Sequence, residues 1–219
     1  MALRDLLIVG VLFTATLFIA RSAHSSLAGV YAVFVGVIAS SWRLYASHSN
    51  WWDLGLRAPG SWLRTILLAI ALLAASQLAV FLIVGPIARA AHWPAMDVSR
   101  FAGMHGNWQA LLGWLLVAWT SAAIGEELLF RGFLLSQLQV LLGSTRIAAV
   151  AAIVAQAVCF GVAHGYLGPR GVATALVVGL LYGGVYVATG RNLLVLMLAH
   201  GLTDSLSLIA IYAGAVPSG

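Results

Sequence analysis

Six stretches of this 219-residue chain, residues 6–20, 22–42, 65–88, 101–125, 147–169 and 171–190, contain no Asp, Glu or Arg. Several are long enough to cross about 30 Å of hydrocarbon at 1.5 Å per residue. In lipid every backbone N–H and C=O must be satisfied from within, so helices are the default. The composition agrees: 62% of residues are hydrophobic and 8% charged, and the mean hydropathy is +1.01, well outside the range of a soluble domain. The expected fold is all-α: a polytopic transmembrane bundle of about seven spans (six to eight) enclosing a polar cavity, with residues 1–219 forming one integral membrane domain.

The spans read as 5–21, 26–42, 63–88, 108–142, 147–166, 171–189 and 192–213, parted by short turns rich in Gly, Ser, Pro or Arg. Leu6 to Ala20, with Arg4 before it and Ser22, Ala23 and Ser25 after it, has the outline of a signal peptide. Six further apolar segments follow, which favours a retained first helix. Residues 43–62 mix Trp51, Trp52 and Trp62 with Asp53, Arg57, Pro59 and Gly60, as expected of a connector at the headgroup level. Residues 90–107 form a second polar connector, placed to act as a lid over a cavity mouth. The span 108–142 would be roughly 52 Å long as an ideal helix, so it should tilt, project from the bilayer or break near Gly125.

All eleven basic residues are arginines, scattered singly, and without a basic stripe nucleic-acid binding has no support. Seven spans put Arg4, Arg43, Arg57, Arg64, Arg146 and Arg191 on the N-terminal side, against Arg21, Arg89, Arg100 and Arg170 opposite. That bias favours a cytoplasmic N-terminus. Cys159 is the only cysteine, so no intrachain disulfide can form.

Against this apolar background, Glu126, Glu127 and Arg131 stand inside one span. Ionisable groups there cost about 2.5–3.5 kcal/mol each on insertion scales and face inward or pair. Glu127 and Arg131 are four apart, in the favourable order. Glu126 is rotated by about 100° from Glu127 and has no partner in its own helix, which suits a general base. A three-charge clasp between helices accounts for this helix alone equally well. Two further pairs at the same spacing follow, Phe160 with His164 and His200 with Asp204. Measured from the turn at 143–146, Glu126 and His164 both lie roughly 25 Å deep. His200 lies only roughly 14 Å past its own turn, so the last span needs tilt or an offset.

In order, these are Glu126-Glu127-x-x-x-Arg131, Phe160-x-x-x-His164 and His200-x-x-x-Asp204. They resemble the three signature motifs of the CAAX-protease and bacteriocin-processing family of intramembrane proteases, over roughly residues 108–210, which would then be the catalytic core. The Asp-Leu-Gly-Leu segment at 53–56 is also reminiscent of family members. The resemblance implies hydrolysis of a peptide bond near the C-terminus or leader of a peptide or a lipidated, membrane-anchored protein. Glu126 would activate water with help from His164, while His200 and Asp204 would stabilise the oxyanion and Glu127, Arg131 and Phe160 would support them. It also implies residence in a prokaryotic cytoplasmic membrane, in contact with its lipid. The metal requirement stays open: two His and two carboxylates are chemically able to ligate zinc, yet no His-Glu-x-x-His cluster is present. Asp204 departs from the Asn of the prenyl-protein proteases, because an ionised carboxylate accepts hydrogen bonds and cannot donate them. Depth places the site in the half of the membrane away from the N-terminus.

Two other functions fit the composition. A non-catalytic immunity or scaffolding protein of the same fold would be expected to lose a motif residue, and none is lost. An ion or proton transporter could use the same polar groups as a relay, but no internal repeat is visible. Ser205 and Cys159 read as packing residues, and His24, His48, His92 and His105 as interfacial ones.

Overall fold

A computed structural model describes residues 2–215 and contains no strand among them. Seven helices among these residues are long and apolar enough to cross a membrane. They are α1 (Ala2–Ser22), α2 (Ala28–Ala46), α3 (Trp62–Ala90), α4 (Trp108–Leu142), α5 (Arg146–Ala163), α6 (Gly165–Ala188) and α7 (Leu193–Tyr212). The chain is an integral membrane protein, and its spans fall where the uncharged windows put them.

The helices start and stop for local reasons. Side chains of Ser61, Asn107, Thr145 and Asn192 accept hydrogen bonds from the first free backbone N–H groups of α3, α4, α5 and α7. Gly143 ends α4 with φ +98°, a conformation that costs glycine little. Three of the histidines read as interfacial, His24, His48 and His92, close α1, α2 and α3 with φ of 54°, 55° and 51°, the left-handed cap position that histidine tolerates better than most residues.

Lipid gives little hydrophobic drive between helices, so close packing of small residues matters. In the α5–α6 hairpin, a Cβ on Gly179 would lie 2.9 Å from the Ala157 Cα. Similarly, one on Gly161 would lie 3.2 Å from the Val172 carbonyl. At the N-terminal face, Arg43 of α2 donates from Nε at 2.9 Å to Asp5 Oδ1 of α1, with Nη2 at 2.8 Å from the same oxygen. Both side chains are buried, and the pair ties the first hairpin together.

The 35-residue α4 is continuous, with no break at Gly125. Instead its turns widen to an i→i+5 pattern over Ala118–Leu135, between α-helical ends. Such turns are rare and are frequently found at functional sites. They hold more residues per unit of axial length, which shortens the span slightly. Glu127 and His200 do meet, joined by a hydrogen bond of 2.8 Å between α4 and α7.

The segment after α2 is only partly interfacial. Trp42, Trp52 and Trp62 are exposed, as an aromatic belt would be. Leu54 to Leu56, however, dock on the α6–α7 turn: Tyr186 donates to the Leu54 carbonyl at 2.8 Å, and Leu193 N–H to the Gly55 carbonyl at 3.2 Å. Gly55 has φ +94°, and a Cβ there would overlap the Arg191 carbonyl oxygen. Gly55→Ala is expected to release this dock and to lower stability by about 1–3 kcal/mol or more, measurable as a fall in midpoint in detergent unfolding. An unchanged midpoint would show that the dock contributes nothing.

Candidate active site

The polar residues singled out from the sequence converge. Glu126, Phe160, His164, His200 and Asp204 line one cavity of about 550 Å³, a size typical of ligand pockets. Glu127 and Arg131 lie directly behind its wall, both completely buried.

Glu127 is the hub. Its Oε1 accepts from Arg131 Nη1 at 3.0 Å, one turn along α4, and from His200 Nδ1 of α7 at 2.8 Å. Spacing alone pairs Glu127 with Arg131; the bond to His200 crosses from one helix to another and leaves no signature in spacing. The rest of the Arg131 guanidinium lies against aromatic faces, with its Cζ 4.1 Å from the Phe160 ring centroid and 5.3 Å from that of Tyr182. Such cation–π contact strengthens when desolvated. Phe160 thus serves as a plate under the arginine, and Tyr182, absent from the sequence-level candidates, is the second plate.

His164 sits just beyond the last residue of α5, slightly short of the expected helix end at 166. Carbonyls in a final helical turn lose their partners. His164 N–H turns to Gly161 O, leaving the Phe160 carbonyl for His164 Nδ1 at 2.8 Å. A carbonyl only accepts, so Nδ1 carries the proton, and in the neutral ring Nε2 keeps its lone pair. That lone pair faces Glu126 Oε2 at 3.9 Å, an oxygen with no hydrogen-bond partner in the protein. The gap is too long for a direct bond and suits a water molecule bonded to both.

On α7, His200 Nε2 faces Asp204 Oδ2 at 3.7 Å, also beyond direct hydrogen-bond range. Asp204 is the more exposed of the two. Ser205 does not face the site as a nucleophile: it donates to the Gly201 carbonyl at 2.6 Å and accepts from Trp119 Nε1 at 3.1 Å. Cys159, expected as a packing residue, is instead exposed on α5. Among the described residues no group of three or more His, Cys, Asp or Glu is arranged to hold a metal ion.

The cavity is lined by the ends of the helices far from the N-terminal face, including Arg21 of α1, Tyr166 at the start of α6 and Ile211 of α7. This is the half of the membrane that the depth estimate selects. Met96, Val98, Arg100 and Phe101 of the second connector complete the lining. That connector is tied down at three points: Asp97 N–H to Leu167 O at 3.3 Å and Gly106 N–H to Tyr212 O at 3.1 Å, and Arg100 Nη2 to Ser26 O at 2.9 Å. It covers the cavity as the sequence leads one to expect of a lid, fastened to α1–α2, α5–α6 and α7.

Comparison with known families gives one match: residues 107–206 fit the model described as type II CAAX prenyl endopeptidase Rce1-like. No curated protein and no solved structure matches the chain. The matched segment runs from the N-cap of α4 to just past Asp204 and so includes all seven motif residues. Over these residues the chain is similar to the Rce1-like type II CAAX prenyl endopeptidases, the same family that its three motifs resemble.

Proposed function

We propose that this protein is an intramembrane endopeptidase that hydrolyses a peptide bond near the C-terminus of a membrane-anchored substrate, with Glu126 as general base. The observation that carries this reading is the facing of Glu126 Oε2 and His164 Nε2 across 3.9 Å inside the cavity. Each atom is left without another protein partner by the way its neighbours are bonded.

Water between them donates one hydrogen to each. Glu126 takes a proton as the oxygen attacks the scissile carbonyl carbon, and the carbonyl π electrons move onto its oxygen. His200 meets that charge. Its Nδ1–H is committed to Glu127, so a doubly protonated ring presents Nε2–H to the oxyanion, the kind of fixed donor that stabilises such charge best. Asp204, opposite Nε2, supplies the counter-charge, so an ionised carboxylate fits this position without having to donate. The proton held by Glu126 then passes to the leaving nitrogen as the C–N bond breaks. The substrate is a peptide or lipidated protein reaching the site from a prokaryotic cytoplasmic membrane.

The test is cleavage of prenylated and unprenylated C-terminal peptides by purified wild type and Glu126→Gln, each with and without chelator. Cleavage by wild type that survives in Glu126→Gln would overturn the assignment, and loss with chelator would bring a metal into the reaction. A second expectation concerns Asp204. Asp204→Asn should keep kcat/KM within about tenfold of wild type, because an amide can itself donate to the oxyanion, whereas Asp204→Leu should lose about a hundredfold. Equal losses in the two variants would remove Asp204 from the oxyanion site.

A further inference from the structure

Arg100 is a cation held in place without a carboxylate. Its guanidinium Cζ lies 4.4 Å from the Tyr166 ring centroid, 5.8 Å from that of Trp114 and 5.9 Å from that of Phe101. One of its five N–H groups donates to Ser26 O at 2.9 Å. No carboxylate among the described residues forms an ion pair with it. Asp97, three residues earlier, turns its carboxylate to Ser99 N–H at 2.9 Å instead. The side chain faces the cavity that holds Glu126 and His164.

We infer that Arg100 receives the free C-terminal carboxylate of the substrate, and so selects which bond lies against Glu126. This rests on the reading of the site as a protease. Aromatic contacts fix the planar fork and lower the entropy lost on pairing, and a guanidinium fork matches a carboxylate in geometry. The spacing is suitable. The His164 and Tyr166 rings stack with centroids 5.9 Å apart, and Arg100 lies 4.4 Å beyond the Tyr166 ring, so the guanidinium is no further from His164 than the sum of the two. An extended chain advances about 3.3–3.6 Å per residue, so a short tail reaches Arg100 while the bond before it lies at Glu126. Arg21, the other arginine of the cavity mouth, is exposed at the end of α1 and forms no cation–π contact among those of the described residues. It is a built-in control.

The test is binding of one fluorescent peptide, made as C-terminal acid and as C-terminal amide, to the full-length Glu126→Gln protein in zwitterionic nanodiscs, where no anionic headgroup competes. Acid should bind about tenfold more tightly than amide. The preference should vanish in Glu126→Gln/Arg100→Gln and survive in Glu126→Gln/Arg21→Gln. Equal binding of acid and amide to the Arg100-containing protein overturns the proposal, as does a preference that survives the loss of Arg100. If Arg100→Gln does not fold, Arg100→Lys decides: the lysine keeps the charge and loses the fork, so a preference unchanged from that of arginine overturns the proposal. Because binding is read without cleavage, failure of the protease reading would appear separately, as intact peptide with active-site-competent wild type.

Discussion

Glu126→Gln is expected to lower the turnover of a cleavable peptide by about a thousandfold, within the range assigned to a positioned general base, while leaving the protein folded. The two halves of this expectation have one cause. Glu126 Oε2 makes no hydrogen bond to the protein, so replacing it with an amide of the same shape removes a proton acceptor without breaking a structural contact. KM should change little, since the base acts on water rather than on the resting peptide. Glu126→Asp should fall between the two, because the shorter side chain widens the gap to His164 while remaining able to accept a proton. Single-turnover cleavage with a thermal unfolding control would test this. If Glu126→Gln unfolds, the residue belongs to the scaffold and the base must be sought elsewhere.

Arg131→Leu is expected to act in the opposite way, through stability. Arg131 and Glu127 are completely buried, and removing one partner from a buried pair costs about 3–5 kcal/mol because the other charge is left uncompensated. The loss should spread, since Glu127 also holds Nδ1 of His200 and the guanidinium occupies the space between Phe160 and Tyr182. The prediction is a large fall in unfolding midpoint, with activity lost even at temperatures where the variant stays folded. Replacing both partners, Glu127→Leu with Arg131→Leu, should recover stability and not activity, because the anchor for His200 is then gone. Recovery of both would mean that the pair serves the fold alone.

Much of this was legible because the membrane penalises charge so heavily. Glu126, Glu127, Arg131, His164, His200 and Asp204 could be found as polar residues out of place, and their i,i+4 spacing assigned each to a face. The span count followed from the same penalty. What stayed hidden was what does not repeat along one helix. The Glu127–His200 bond and the Arg131 plates join residues far apart in sequence, and Tyr182 looks like any aromatic in an apolar run. The widened turns of α4 carry no composition signal, although the excess length of 108–142 was a symptom of them. Asp5 and Arg43 could have been paired, as lone charges at the same end of the first two spans. Leu54 to Leu56 were masked by the tryptophans around them, which satisfy the interfacial reading while their neighbours dock inward.

The bond from His164 Nδ1 to the Phe160 carbonyl has a consequence for how this site can be altered. The acceptor is main chain, and every amino acid brings the same carbonyl to position 160. Which nitrogen of His164 holds the proton is therefore written into the place where α5 stops, and no side-chain exchange at 160 can erase it. Phe160→Leu would strip the plate from Arg131 and the ring packed on that of His164, and still leave the carbonyl that holds the proton on Nδ1. Only lengthening or shortening the helix end, for instance through the Gly161 that receives the His164 N–H, would turn the ring's chemistry around.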